Sequence, residues 1–123
     1  YLRAGRLDEA DETARRALLM AREKSERAHE AYALHLLGEV GAQRTPGDPE
    51  AADAALRQAT ALAEELSMQP LVAHCQVSRA RLECRAGRTA SGRQLLDAGT
   101  AAFREMEMPF WLERAEALAR SLA

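Results

Sequence analysis

Three glycine-led segments recur along the chain about 40 residues apart: Gly5-Arg6-Leu7-Asp8-Glu9-Ala10, Gly47-Asp48-Pro49-Glu50-Ala51-Ala52 and Gly87-Arg88-Thr89-Ala90-Ser91-Gly92. Twelve positions after each glycine comes a small residue, Ala17, Ala59 or Gly99. Apolar residues of helical period lie on both sides of each glycine, so each period holds two helices joined at a turn. Units of this size cannot bury an apolar face alone and must stack, which constrains the fold more than any other feature. A stack of helix pairs is a binding architecture by default.

With 123 residues the chain has room for one domain and none for a catalytic domain beside the repeats. Hydrophobic residues make up 47%, but aromatics only 4% and much of the rest is alanine, so the core must come from closely approaching helices. A net charge of −2 gives no electrostatic footprint for nucleic acid. Cys75 and Cys84 share one expected helix, about 13 Å apart along its axis, which excludes a disulfide between them. Two unpaired thiols, with no signal peptide and no membrane-spanning apolar run, lead to the expectation of a cytoplasmic protein.

Tyr1-Leu2-Arg3-Ala4 reads as the last turn of a helix closed by Gly5, which implies an excised piece of a longer protein. Six helical stretches follow or overlap it. The first runs from about Asp8, available as an N-cap, to Lys24 along Ala10, Ala14, Ala17, Leu18 and Ala21, with Arg15, Arg16 and Arg22 toward water. The second, about Glu26 to Gln43, carries Gly38 and Gly41, whose propensity cost of roughly 1 kcal/mol each implies close approach of a neighbouring helix. Asp48 and Pro49 suit the N-cap and first position of a third, Pro49 to Leu66, the most clearly amphipathic of the set. Met68-Gln69-Pro70 starts a fourth that ends near Ala86, and a fifth spans Thr89 to Met106. After Met108-Pro109 a last helix, about Phe110 to Leu122, shows Trp111, Leu112, Ala115 and Leu118 on one side and suits a capping element, with Glu113, Arg114, Glu116 and Arg120 outward.

These residues resemble the tetratricopeptide repeat family. The middle unit carries the resemblance with Leu37-Gly38, Gly47-Asp48, Glu50-Ala51-Ala52 and Ala59. The first retains Gly5, Asp8-Glu9-Ala10 and Ala17. The third departs from the pattern: Arg79-Ala80 stands for Leu-Gly, and Gly92 and Gly99 replace alanines, so the stack is expected to be loosest there. Units of 40 to 42 residues, rather than the usual roughly 34, look like the arrays of large bacterial signalling ATPases. The stretches Ala61 to Cys75 and Phe103 to Leu112 look like the C-terminal repeat region of the adenylate and guanylate cyclase-type regulators. The resemblance implies an all-α, right-handed α-solenoid of antiparallel helix pairs. It would comprise about two and a half repeats (1–25 partial, 26–68, 69–108) and a capping helix (109–123), in a single domain over 1–123.

In that family the first helices of successive units line the concave, ligand-binding surface. Periodicity puts Tyr32, His35, Glu39 and Gln43 on one such face and His74, Val77, Arg81, Cys84 and Arg85 on the next, a mixed polar groove suited to a peptide whose carboxylates Arg81 and Arg85 would pair. The competing reading is that these are solvated helix faces. His35, Glu39, His74 and Cys84 are zinc-ligand types, but neither HExxH nor Cys-x-x-Cys is present, and no nucleophile accompanies the histidines. No metal, cofactor or catalytic set is therefore expected. Cys75 reads as a small core residue, and Trp111 either as part of a helix closed over Phe103 and Met106 or as an interface anchor.

The expectation is a regulatory repeat segment, not itself an enzyme, that binds a protein, a peptide or another domain of its own chain, with neither nucleic acid nor membrane as partner. The alternatives are the repeat segment of an ATP-dependent transcription activator with a separate helix-turn-helix domain, and a self-association module that pairs through an uncapped N-terminal face.

Overall fold

The computed structural model describes residues 2–43 and 49–122, and among them every regular element is a helix: α1 (Leu2–Glu23), α2 (Arg27–Gln43), α3 (Pro49–Glu65), α4 (Gln69–Arg85), α5 (Thr89–Glu105) and α6 (Pro109–Leu122). The expected boundaries hold within one or two residues except at the start. Helix α1 runs through Gly5 and Asp8, so Gly5 is not a helix stop and Asp8 is not an N-cap. With Ala4, Arg6 and Leu7 helix formers around it, one glycine costs about 1 kcal/mol, which the surrounding turns absorb. The expected cap at Asp48 lies outside the described residues.

Four helix ends share one device. Ser25, Ser67, Gly87 and Glu107 adopt the left-handed conformation, with φ of 57°, 59°, 87° and 54°. After α1, the N–H of Ser25 donates to Arg22 O and that of Glu26 to Ala21 O. After α4, Gly87 donates to Cys84 O and Arg88 to Glu83 O; after α5, Glu107 donates to Arg104 O and Met108 to Phe103 O. These paired bonds are Schellman closures, which satisfy carbonyls that the last turn leaves without a helical partner. Ser25, Ser67 and Glu107 repeat at the same spacing of about 40 residues that the glycines showed in the sequence.

The helices form two compact units, Tyr1–Ser67 and Met68–Ala123. The division falls at the break that the sequence placed between its second and third units.

In the first unit α2 and α3 lie antiparallel. A Cβ on Gly41 would stand 3.1 Å from Ala52 Cβ, and one on Gly38 would stand 2.5 Å from Leu56 Cγ. Toward the other end Arg27 Nη1 and Nη2 donate to the two carboxylate oxygens of Glu65, both at 2.8 Å. The close approach expected from Gly38 and Gly41 is thus observed. Ala14 and Ala21 of α1, Ala31 and Leu34 of α2, and Ala52, Ala55, Leu56, Ala59, Leu62 and Ala63 of α3 are buried.

In the second unit α4 and α5 pair in the same way. Gly92 is buried against Cys84 and the carbonyl of Ala80, and Gly99 against Val77 and the carbonyl of Ala73. A Cβ on Gly99 would stand 2.8 Å from Val77 Cγ2. The expectation of loose packing here is corrected: glycine in place of alanine lets the α5 backbone sit directly on α4. Helix α6 closes over the pair, with Ala115 joining the fully buried Leu96 and Phe103, and Leu112, Leu118 and Ala119 packed around them.

Two helices differ from the rest. Buried residues occur around much of α4, at Leu71, Val72, Ala73, Cys75, Ser78, Ala80, Leu82 and Glu83. Glu83, buried and one turn from the end of α4, meets Arg88 through Nε at 2.6 Å and Nη2 at 3.3 Å. These two residues occupy the positions at which a Schellman closure commonly has an apolar contact. An ion pair stands there instead. In α2, by contrast, Tyr32 and Leu36 remain exposed one turn apart. Among the described residues no helix is long and apolar enough to cross a membrane.

Candidate functional site

On α2 the residues expected to bind a ligand stay together. His35 Nε2 lies 2.9 Å from Glu39 Oε1, as their spacing of four requires, and both are half-buried. Tyr32 and Gln43 beside them are exposed. The α4 group divides. Val77 and Cys84 are turned onto Gly99 and Gly92 of α5, so the expectation that they line an open face is corrected. Their side of α4 is the one that must carry compact side chains, because the α5 glycines lie against it.

His74 is occupied as well. Its ring stands edge-on to Phe103 at 5.0 Å and to Trp111 at 4.4 Å, between α5 and α6. Arg81 and Arg85 remain exposed. The nine expected residues thus comprise a partly exposed edge on α2, two exposed arginines on α4, and three side chains engaged inside the second unit. His35 and Glu39 belong to one compact unit and His74 and Cys84 to the other, and among the described residues no group of three or more His, Cys, Asp or Glu side chains could hold a metal ion.

Trp111 combines the two roles considered for it. It stacks at 6.5 Å on Phe103, yet is 38% exposed, and Phe110 beside it is 60% exposed. The guanidinium of Arg114 lies 5.4 Å from the Phe110 ring centre and 5.7 Å from that of Trp111, within cation–π range of both. Cys75 is fully buried, in keeping with a small core residue.

The first unit contains a cleft that the sequence reading did not single out. It has a volume of about 380 Å³, at the small end of the range for ligand sites. One wall is α1, through Asp11, Arg15, Leu18 and Arg22; the other is α3, through Ala51, Ala54, Ala55 and Gln58; Leu34, Leu37 and Gly41 of α2 form the floor. At 3.6 residues per turn, Leu34, Leu37 and Gly41 lie on the side of α2 roughly opposite to Tyr32, His35, Glu39 and Gln43. The cleft therefore opens away from the face expected to bind.

Its rim is charged and ordered. Arg15 Nε donates to Asp11 Oδ2 at 2.8 Å, and Arg22 Nε lies 3.3 Å from Glu30 Oε2. The sequence signal for this wall was present in the spacing of Arg15, Leu18 and Arg22, which puts two cations and an apolar residue on one stripe of α1. Arg15 and Arg22 are exposed, as expected for positions off the alanine stripe of α1, and they also flank the cleft.

Among the described residues, a further ion pair ties the helices of each unit. Arg27 and Glu65 shift each other: the hydrogen bond and charge of Arg27 hold the Glu65 carboxyl below the usual carboxylate range, and Glu65 raises Arg27 further above the usual guanidinium value. In the second unit Arg104 and Glu116 approach to 3.5 Å between α5 and α6.

No family model matches the chain, and no curated protein or solved structure is detectably similar to it.

Proposed function

We propose that this chain is a helical-repeat interaction module that receives a segment of another protein, or of its own parent chain, in the cleft of its first unit. The observation that carries the reading is the cleft itself: three helices leave an apolar floor between an alanine wall and a charged wall. The recurrence of left-handed closures at Ser25, Ser67 and Glu107 supports a short right-handed solenoid of the tetratricopeptide type as its architecture. The sequence resemblance supports a place in a bacterial signalling regulator of the cyclase or ATPase type, with the catalytic domain elsewhere in the parent protein. On this reading the module works by docking, and purified chain turns over no nucleotide.

The test is a panel of labelled helical peptides, selected from a display library against the whole chain and measured by fluorescence anisotropy. Ala54 is exposed on the cleft wall, so Ala54→Trp fills the cleft without entering the core. It should weaken capture at least about tenfold, the equivalent of about 1.4 kcal/mol. Ala101→Trp, an exposed position on α5, should leave it unchanged. Equal capture by both variants places binding elsewhere and removes the reading.

A further inference from the structure

We infer that the cleft selects an acidic amphipathic helix, one with two carboxylates seven residues apart along the edge of its apolar face. The inference rests on the reading of the cleft as a docking site and adds the chemistry of its occupant.

Arg15 and Arg22 stand two turns apart on the α1 wall, about 10.5 Å along the helix axis. Each is held through Nε, by Asp11 and Glu30 respectively, and among the described residues neither guanidinium has a hydrogen bond through its Nη groups. A guanidinium steadied at Nε and open at Nη is ready to take a carboxylate, because part of the side-chain entropy cost of ordering it has already been met. Arg15 is 66% and Arg22 50% exposed at the side chain, so an incoming acid reaches them without moving the core.

The spacing selects the secondary structure of the ligand. In a helix lying along α1, residues i and i+7 repeat the 10.5 Å interval and stay on nearly the same face, drifting by only about 20°. An extended strand covers about 10 Å in three residues, but an odd separation turns the two side chains to opposite faces. Of these two conformations the α-helical one presents both acids to one wall. Its apolar stripe would rest on Leu34 and Leu37, and Ala51 and Ala54 opposite would let its backbone approach.

The experiment compares three designed helical peptides of identical apolar face against the whole chain by anisotropy. One carries Glu at i and i+7, one Glu at i and i+5, and one Lys at i and i+7. The first should bind at least tenfold more tightly than the other two, and more weakly as salt is raised. In the Arg15→Glu/Arg22→Glu variant that order should reverse in favour of the lysine peptide, with the circular dichroism spectrum unchanged. Equal binding of all three, abolished by Ala54→Trp, overturns the acidic selection and leaves the docking site standing. Binding of none of them, or binding indifferent to Ala54→Trp, overturns both.

Discussion

Two glycines in similar local sequence settings carry opposite expectations. Around Gly5 there is nothing within 4 Å of a built Cβ, so Gly5→Ala should raise stability by roughly 0.5–1 kcal/mol through helix propensity. At Gly38 the same methyl would meet Leu56 Cγ at 2.5 Å, and Leu56 is fully buried. Overpacking of this kind costs about 1–3 kcal/mol and outweighs the propensity gain. Gly38→Ala should therefore lower the midpoint of urea denaturation while Gly5→Ala raises it. Glu107 tests backbone strain in isolation: it holds φ 54°, where a side chain costs about 1–2 kcal/mol. Glu107→Gly should raise the melting temperature, with a net gain of about 0.5–1 kcal/mol after the larger unfolded-state entropy of glycine is counted. An unchanged or lower melting temperature would show that the Glu107 side chain stabilises the closure in some other way.

Among the elements, the ends of paired helices are tied by charge, and the two ties respond differently to solvent. Arg88 meets a buried carboxylate at the α4 closure, so Arg88→Ala removes a charged partner from Glu83 and should destabilise by about 1–2 kcal/mol, with modest salt dependence. Arg27 and Glu65 are both exposed, and their tie between α2 and α3 should weaken as salt is raised. Because the folded state holds the Glu65 carboxyl below its ordinary value of 4.5, the contribution is present above that value and is lost as pH falls through the lowered one. Glu65→Gln should accordingly reduce stability at neutral pH, and the difference from the parent chain should close in acid. A difference that persists once the Glu65 carboxyl of the parent chain is protonated would assign the effect to packing.

At the scale of the molecule, the two units offer separate spectroscopic handles. Trp111 is the only tryptophan and sits in the second unit, edge-on to His74, stacked on Phe103 and partly exposed. Its emission should be intermediate between buried and solvent-like. Arg114→Ala should make it more accessible to acrylamide, because the guanidinium lies across the indole. A peptide that enters the cleft of the first unit should alter hydrogen exchange along α1 and α3, and this gives a readout independent of Trp111.

Among the described residues, the limits of α2 to α6 and the 40-residue period were legible in the sequence alone, because prolines and apolar spacing act over a few residues, whereas the start of α1 was not. The close approach at Gly38 and Gly41 was legible for the same reason: a glycine inside a helix needs local compensation. Which neighbour lies on each face was settled only by tertiary structure. Gly92 and Gly99 read as decay of a motif until α4 was seen packed on them, and Gly5 read as a stop although its neighbours continue the helix. Helical periodicity placed Tyr32, His35, Glu39 and Gln43 on one side of α2 and Leu34, Leu37 and Gly41 on the other. It could not say that α1 and α3 would stand apart over the second side and leave a cleft there. A period records which residues share a face, whereas the gap between two helices depends on the sizes of side chains far apart in the chain.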